Sequence, residues 1–123
     1  MVINKSKDYS SNLRQRCYNF SLEIISLADV LPKKRSAWII ADQVVRSSTS
    51  IGANLVEAQS SSSRREYKKF FEIALKSANE SQYWLGLLKD SGLSDVGTIE
   101  KLMKELDEIS RMVAAAVLKL KKT

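Results

Sequence analysis

The residues best suited to chemistry form a basic run beside a run of serines. Ser60, Ser61, Ser62 and Ser63 are followed at once by Arg64 and Arg65, then by Lys68 and Lys69. Ammonium and guanidinium groups supply charge. Serine hydroxyls and helix N-terminal amides supply positioning hydrogen bonds, and the combination suits phosphate. Ser63 and Glu66 have the spacing of a capping box, so a helix begins here. Cations at a helix N-terminus oppose the macrodipole unless something anionic is near, so helix electrostatics do not explain these four. Lys119, Lys121 and Lys122 differ, because lysines at the end of a last helix complement its dipole without any ligand. Together the seven cations form the candidate nucleic-acid-binding set. Nothing in them resembles a base-reading motif.

Composition removes most other chemistry. The chain has no histidine and one cysteine, Cys17. Without histidine there is no Ser-His-Asp or Cys-His nucleophile system, no imidazole-bearing zinc site and no Glu-x-x-His di-iron site. A single cysteine forms no intrachain disulfide and cannot by itself hold zinc or an iron–sulfur cluster. No inward acidic cluster is visible that would serve a metal-dependent nuclease. The expectation is a protein that is not an enzyme, with no cofactor and no metal site.

These residues need elements to position them. The chain has 123 residues, a length typical of one domain, with only 4 glycines and 1 proline. Such poverty in turn-formers points to long helices, and four segments show helical periodicity. The first, about 6–31, has the seam Leu13, Cys17, Phe20, Ile24, Leu27 and Leu31, and Pro32 ends it. Lys33, Lys34 and Arg35 form a short basic loop, and Ser36 is placed to cap the second helix, about 37–60. The third, about 64–91, has the seam Tyr67, Phe71, Ala74, Ala78, Ser81, Leu85 and Leu88, closed by Gly92 as a left-handed cap. The fourth, about 95–121, has the seam Leu102, Leu106, Ile109, Val113, Ala116 and Leu120 and starts at Ser94 or Thr98. Four helices joined by short loops predict an all-α fold, an antiparallel up-down-up-down four-helix bundle forming a single domain over 1–123. The other option is a helical hairpin pair that closes only on dimerisation.

The second helix is unusual. Its seam is Ile40, Val44, Ser48, Ile51, Leu55 and Ala58. Opposite that seam we place Ala41, Val45, Thr49, Gly52 and Val56, uncharged where a solvent face should carry Lys and Glu. A helix apolar on two sides is buried on two sides, which predicts a homo-oligomer with this stripe in the subunit contact. A third stripe, Gln43, Ser47, Ser50, Asn54 and Glu57, is a structural polar ladder flanking the core. Such ladders fix register or orientation, as buried polar positions do in coiled coils. Trp38, Tyr83 and Trp84 have the chemistry to stack bases, but aromatics at helical spacing are expected to pack in the core or at an interface.

The stretch Asp42-Gln43, Arg46 and Ser50-Ile51-Gly52-Ala53-Asn54-Leu55-Val56-Glu57-Ala58, with Glu66-Tyr67 and Phe70-Phe71-Glu72-Ile73-Ala74 after the serine turn, carries a family resemblance. It resembles the bacterial four-helix-bundle proteins encoded in intervening sequences of 23S ribosomal RNA genes. The S-I-x-A-N-x-x-E core at 50–57 is the most distinctive part. Ala58 stands where glycine is common and Gly52 where proline is common, and neither change removes a catalytic group. The resemblance implies a small bundle that assembles as a homopentamer and whose cellular role is unassigned. A similar bundle is the accessory variability determinant of diversity-generating retroelements, which pairs with a reverse transcriptase and binds nucleic acid through a basic surface. Resemblance to that branch implies an accessory role and a reverse transcriptase as partner.

The bundle topology places the charge. The N-terminus, the second loop and the C-terminus meet at one end. That end gathers Lys5, Lys7, Arg64, Arg65, Lys68, Lys69, Lys119, Lys121 and Lys122 against Asp8, Glu57 and Glu66, for a formal +6 that equals the net charge of the chain. The favoured function is therefore a non-enzymatic homo-oligomer binding RNA or DNA through its basic end. The alternative is an interaction scaffold whose basic end docks an acidic partner protein. The longest apolar run, Met112 to Leu118, is far short of a membrane span, and the polar segment Met1 to Ser11 has no apolar signal-peptide region. With no disulfide framework, these features predict a cytoplasmic protein without a membrane partner.

Overall fold

The computed structural model describes residues 5–122, with side chains from residue 12 onward. Four helices follow one another: α1 (Lys5–Val30), α2 (Arg35–Gln59), α3 (Arg64–Asp90) and α4 (Val96–Lys121). Each is 25 to 27 residues long, so about 39 Å at the usual helical rise. No strand occurs among the described residues.

Local chemistry explains most of the boundaries. Pro32 follows the end of α1, and the chain resumes helix at Arg35. Ser36 does not cap α2: the cap position is Lys34, which makes no side-chain cap bond, and Ser36 lies inside the first turn. The helix begins two residues earlier than expected because backbone bonding reaches back, with the Trp38 N–H donating to the Lys34 carbonyl at 3.1 Å. Ser63 caps α3, its hydroxyl accepting from the Glu66 N–H at 3.1 Å. Gly92 takes φ +73 just past α3, a conformation costly for any residue with a Cβ. Asp95 starts α4, its carboxylate accepting from the Thr98 N–H and hydroxyl at 2.9 Å each. Those two bonds hold the Asp95 carboxyl below its ordinary pKa.

The helices pack as a ring in chain order, each touching its two neighbours and none crossing the diagonal. Neighbours run antiparallel. Ser47 meets Ser81 and Ser50 meets Ser77, so numbering rises on α2 as it falls on α3. The buried seams lie between the four helices and are largely those expected. On α4, Ile99 and Val117 are buried while Ala116 and Leu120 are half-buried. Cys17 is 1% exposed in this core, and burial pushes its thiol up to about 12. α2 and α3 share the largest interface, where serines and alanines let the backbones approach. α1 and α4 share the smallest. A forked clamp crosses it: Arg16 bonds Glu105 at 2.5 and 3.0 Å and Glu108 at 3.0 Å. Those bonds raise the Arg16 pKa further above its ordinary range.

Candidate functional site

At one end of the bundle the α2–α3 turn sits beside the last turn of α4. The turn is tied down by its own serines. Ser61 donates to the Ala58 carbonyl, and the Ser62 N–H donates to the Glu66 carboxylate at 3.2 Å. Of the expected cations, Arg65, Lys69, Lys119, Lys121 and Lys122 are exposed and Lys68 is half-buried. Arg64 is engaged: its guanidinium donates to the carbonyls of Lys119 and Leu120 at 3.5 and 3.3 Å. Its charge therefore faces the negative end of α4, which sequence spacing could not reveal. The unexplained cations at the α3 start narrow to Arg65, Lys68 and Lys69. Arg14 joins this end from α1, its guanidinium 3.0 Å from the Gln59 side-chain amide. Sequence reasoning missed it because it falls on the half-buried edge of the α1 seam. The side chains of Lys5, Lys7 and Asp8 lie outside the described residues.

Among the described residues the ion pairs run Arg16 to Glu105 and Glu108, Arg46 to Glu80, Lys89 to Glu100 and Arg111 to Asp107. None uses Arg64, Arg65, Lys68, Lys69, Lys119, Lys121 or Lys122.

The two α2 stripes go to different neighbours. In the polar ladder, Ser50 accepts from Ser77 at 2.9 Å and Ser47 lies 2.8 Å from Ser81, both on α3. Asn54 stays on its own helix, donating to the Ser50 carbonyl and hydroxyl at 2.8 and 3.0 Å. Gln43 accepts from Arg46, which pairs with Glu80 of α3. Glu57 is exposed. The uncharged stripe is not opposite the seam, which corrects the sequence placement. Ala41 and Val45 are half-buried against the core, and a Cβ added at Gly52 would lie 3.1 Å from the Cys17 Cβ of α1. The stripe lies about 100° from the seam at helical spacing, so it is a flank turned toward α1. Thr49 is half-buried at its rim, and Val56 is exposed. The large exposed apolar residues nearby are Tyr18, Leu22 and Ile25 of α1, at i, i+4 and i+7 and so on one outward stripe.

Trp38 and Tyr83 are 59% and 62% exposed, so neither belongs to the core, and the Tyr83 ring packs edge-on against Trp84 with centroids 5.2 Å apart. Trp84 is half-buried, its indole N–H donating to Glu80 at 2.8 Å. That bond, with the Arg46 contact, holds the Glu80 carboxyl below its ordinary value. An open groove of about 970 Å³ lies at the far end between α1 and α4, lined by Leu22, Leu27, Val30, Leu93 and Leu102 with Glu23, Asp95 and Lys101 at its polar positions. The hydroxyl–carboxylate contact in its lining, Thr98 to Asp95, is the N-terminal cap of α4. Among the described residues, no group of three or more His, Cys, Asp or Glu side chains is arranged to hold a metal ion. Among the same residues, no helix is long and apolar enough to cross a membrane.

Comparison with known proteins matches this architecture. A Bacteroides thetaiotaomicron protein of unknown function from the S23 ribosomal protein family superposes with a TM-score of 0.83 at 29% identity, over 89% of this chain and 97% of that one. No curated protein matches the chain. The family model for the 23S rRNA-intervening sequence protein matches residues 10–115. Neither match indicates an enzymatic family. The matched span takes in the buried seams up to Val113 and the α2–α3 turn, and the chain belongs to the 23S rRNA-intervening sequence protein family.

Proposed function

We propose that this protein is a non-enzymatic, self-associating bundle that binds nucleic acid, RNA or DNA, through its basic end. The observation that supports this most is the surplus of charge there. Arg65, Lys68, Lys69, Lys119, Lys121 and Lys122 gather at this end with no carboxylate partner among the described residues, whereas on the sides Arg16, Arg46, Lys89 and Arg111 are paired and the cations without a pair, Lys76, Lys101 and Lys104, lie apart from one another or among carboxylates of α4. A polyanion that neutralises such a patch releases its counterions, so affinity falls steeply with salt. Self-association multiplies the patch and the avidity. The face best suited to it is the outward stripe Tyr18, Leu22 and Ile25. Five copies is the number the family resemblance implies. A cytoplasmic accessory role beside a reverse transcriptase is the narrower form of this reading, and the genomic neighbourhood of the gene tests it.

The test is a salt titration of RNA and DNA binding by the wild type and by the triple variant R65E/K68E/K69E. Arg64 is spared because it holds α4. The wild type should lose affinity along a steep log–log salt slope, and the variant should lose most binding and flatten that slope by about one unit per contact removed. Unchanged binding in the variant refutes the site. A folded wild type that binds neither RNA nor DNA at low salt refutes the function and favours an acidic protein partner. Sedimentation at micromolar concentration checks assembly: the wild type should be oligomeric and Leu22→Glu should dissociate it.

A further inference from the structure

We infer that Arg64 is the positioning residue of the basic end, joining two stretches of chain 55 and 56 residues apart into one phosphate-binding surface. The inference rests on the nucleic-acid reading above. The last four carbonyls of any helix lack an intrahelical donor. In α4 the Lys119 carbonyl receives the Lys122 N–H at 3.3 Å, and the Arg64 guanidinium supplies a second donor there and one at Leu120. These bonds are at the long end of hydrogen bonding, so much of the attraction is a full charge against the negative pole of α4. The antiparallel order makes this possible, because the N-terminus of α3 must lie beside the C-terminus of α4. A cation misplaced for its own helix is well placed for its neighbour.

The consequence is for the lysines. Lys119, Lys121 and Lys122 are exposed and occupy the final turn. A terminal turn with nothing to hold it frays, and its side chains spread over many positions. Arg64 holds that turn against the start of α3, where Arg65, Lys68 and Lys69 project. One guanidinium thus preorganises cations from two helices, lowering the ordering cost that phosphate binding would otherwise carry. Both bonds leave a single guanidinium nitrogen, so lysine, with its charge and three donors, is the conservative replacement.

The test compares Arg64→Lys, Arg64→Ala and Arg65→Ala in the full chain. Two readouts are used: amide hydrogen exchange over 119–122 and affinity for a short RNA duplex. Arg64→Ala should exchange about two- to fivefold faster in the last turn of α4, the range expected for a charge at a helix end, and should bind RNA about two- to fivefold more weakly. Arg64→Lys, which keeps the charge and a donor, should restore most of both. Arg65→Ala should weaken binding without altering exchange. The inference is overturned if Arg64→Ala leaves either exchange or RNA affinity unchanged. Wild-type protein that binds no RNA refutes the function reading instead, and the exchange comparison then decides the clamp alone.

Discussion

Replacing Ser81 by alanine should cost more than replacing the whole buried serine layer. Ser47, Ser48 and Ser81 are each 0% exposed. The Ser81 hydroxyl accepts from Ser48 at 3.2 Å and lies 2.8 Å from both the Ser47 hydroxyl and the Ser77 carbonyl. Its removal leaves Ser48 without an acceptor on α3 and Ser47 with only a 3.5 Å bond to the Val44 carbonyl. A buried polar group left unsatisfied costs about 1–3 kcal/mol. Serine hydroxyls in helices can turn back to a carbonyl of their own helix, which holds the single variant to about 1–2 kcal/mol. In a chain of this size that is a fall in Tm of about 4–8 °C. The triple variant Ser47→Ala, Ser48→Ala, Ser81→Ala removes donors and acceptors together. Alanine is also the better helix former by a few tenths of a kcal/mol at each site, roughly 1 kcal/mol in all, which offsets the small voids. The triple variant should therefore lie within about 1 kcal/mol of wild type. Urea denaturation of all single, double and triple combinations, at one protein concentration because association adds to apparent stability, measures the non-additivity. A triple variant whose loss equals the sum of three costly singles would show that the layer acts by size alone and that the hydrogen-bond network contributes nothing.

Three further outcomes follow from the geometry. Gly52→Ala gains about 1 kcal/mol of helix propensity, but its new Cβ lies 3.1 Å from a Cβ fixed to the α1 backbone. The expected net is a loss of about 1 kcal/mol from overpacking, whereas Gly86→Ala, with nothing within 4 Å, should stabilise by about 0.5–1 kcal/mol. Equal effects at the two sites, measured by the same denaturation, would contradict the close α1–α2 approach. With its thiol pushed up to about 12 and buried, Cys17 should react with a disulfide reagent at pH 8 only as fast as the chain unfolds, and rapid labelling of the native protein would refute its placement. Glu80 has a lowered carboxyl pKa, so its bonds to Trp84 and Arg46 persist at neutral pH and are lost as pH falls through that lowered value. In a Trp38→Phe background the Trp84 emission should shift with a midpoint below the ordinary glutamate value of about 4.3, and a midpoint at or above it would count against the contact.

The fold was legible because each seam repeats at helical spacing and each turn carries its own chemistry: Pro32, Ser63 with Glu66, and Gly92. Ser36 misled because a good cap residue lay within the first turn of a helix whose start is set by backbone bonding. The α2 stripe misled for a geometric reason. Ala41, Val45 and Gly52 look like an exposed face only if the helix is given two opposite sides. In a ring of four helices each helix has two flanks turned to neighbours, and an uncharged flank of small residues lets α1 approach. The residues that do expose apolar surface, Tyr18, Leu22 and Ile25, lay unremarked on α1. Their i, i+4, i+7 spacing was readable, but it was hidden beside the stronger seam.

Why charge stands unpaired at one end follows from which cations the fold itself can use. Along the sides, Arg16, Arg46, Lys89 and Arg111 each meet a carboxylate. At the end, the negative pole of α4 is served by Arg64 and by the lysines of its last turn. Those roles leave no internal use for Arg65, Lys68 and Lys69. All three sit within the first two turns of α3, where the dipole is positive and Glu66 is the one acidic residue of the first turn. Each such cation is mildly destabilising, by a few tenths of a kcal/mol at low salt, and mutual repulsion adds to it. An anion bound at that helix start reverses the sign of every one of these terms at once. The same residues that weaken the isolated bundle then stabilise its complex, so phosphate or a phosphate-rich ligand should raise the Tm of the wild type, and should raise that of R65E/K68E/K69E far less.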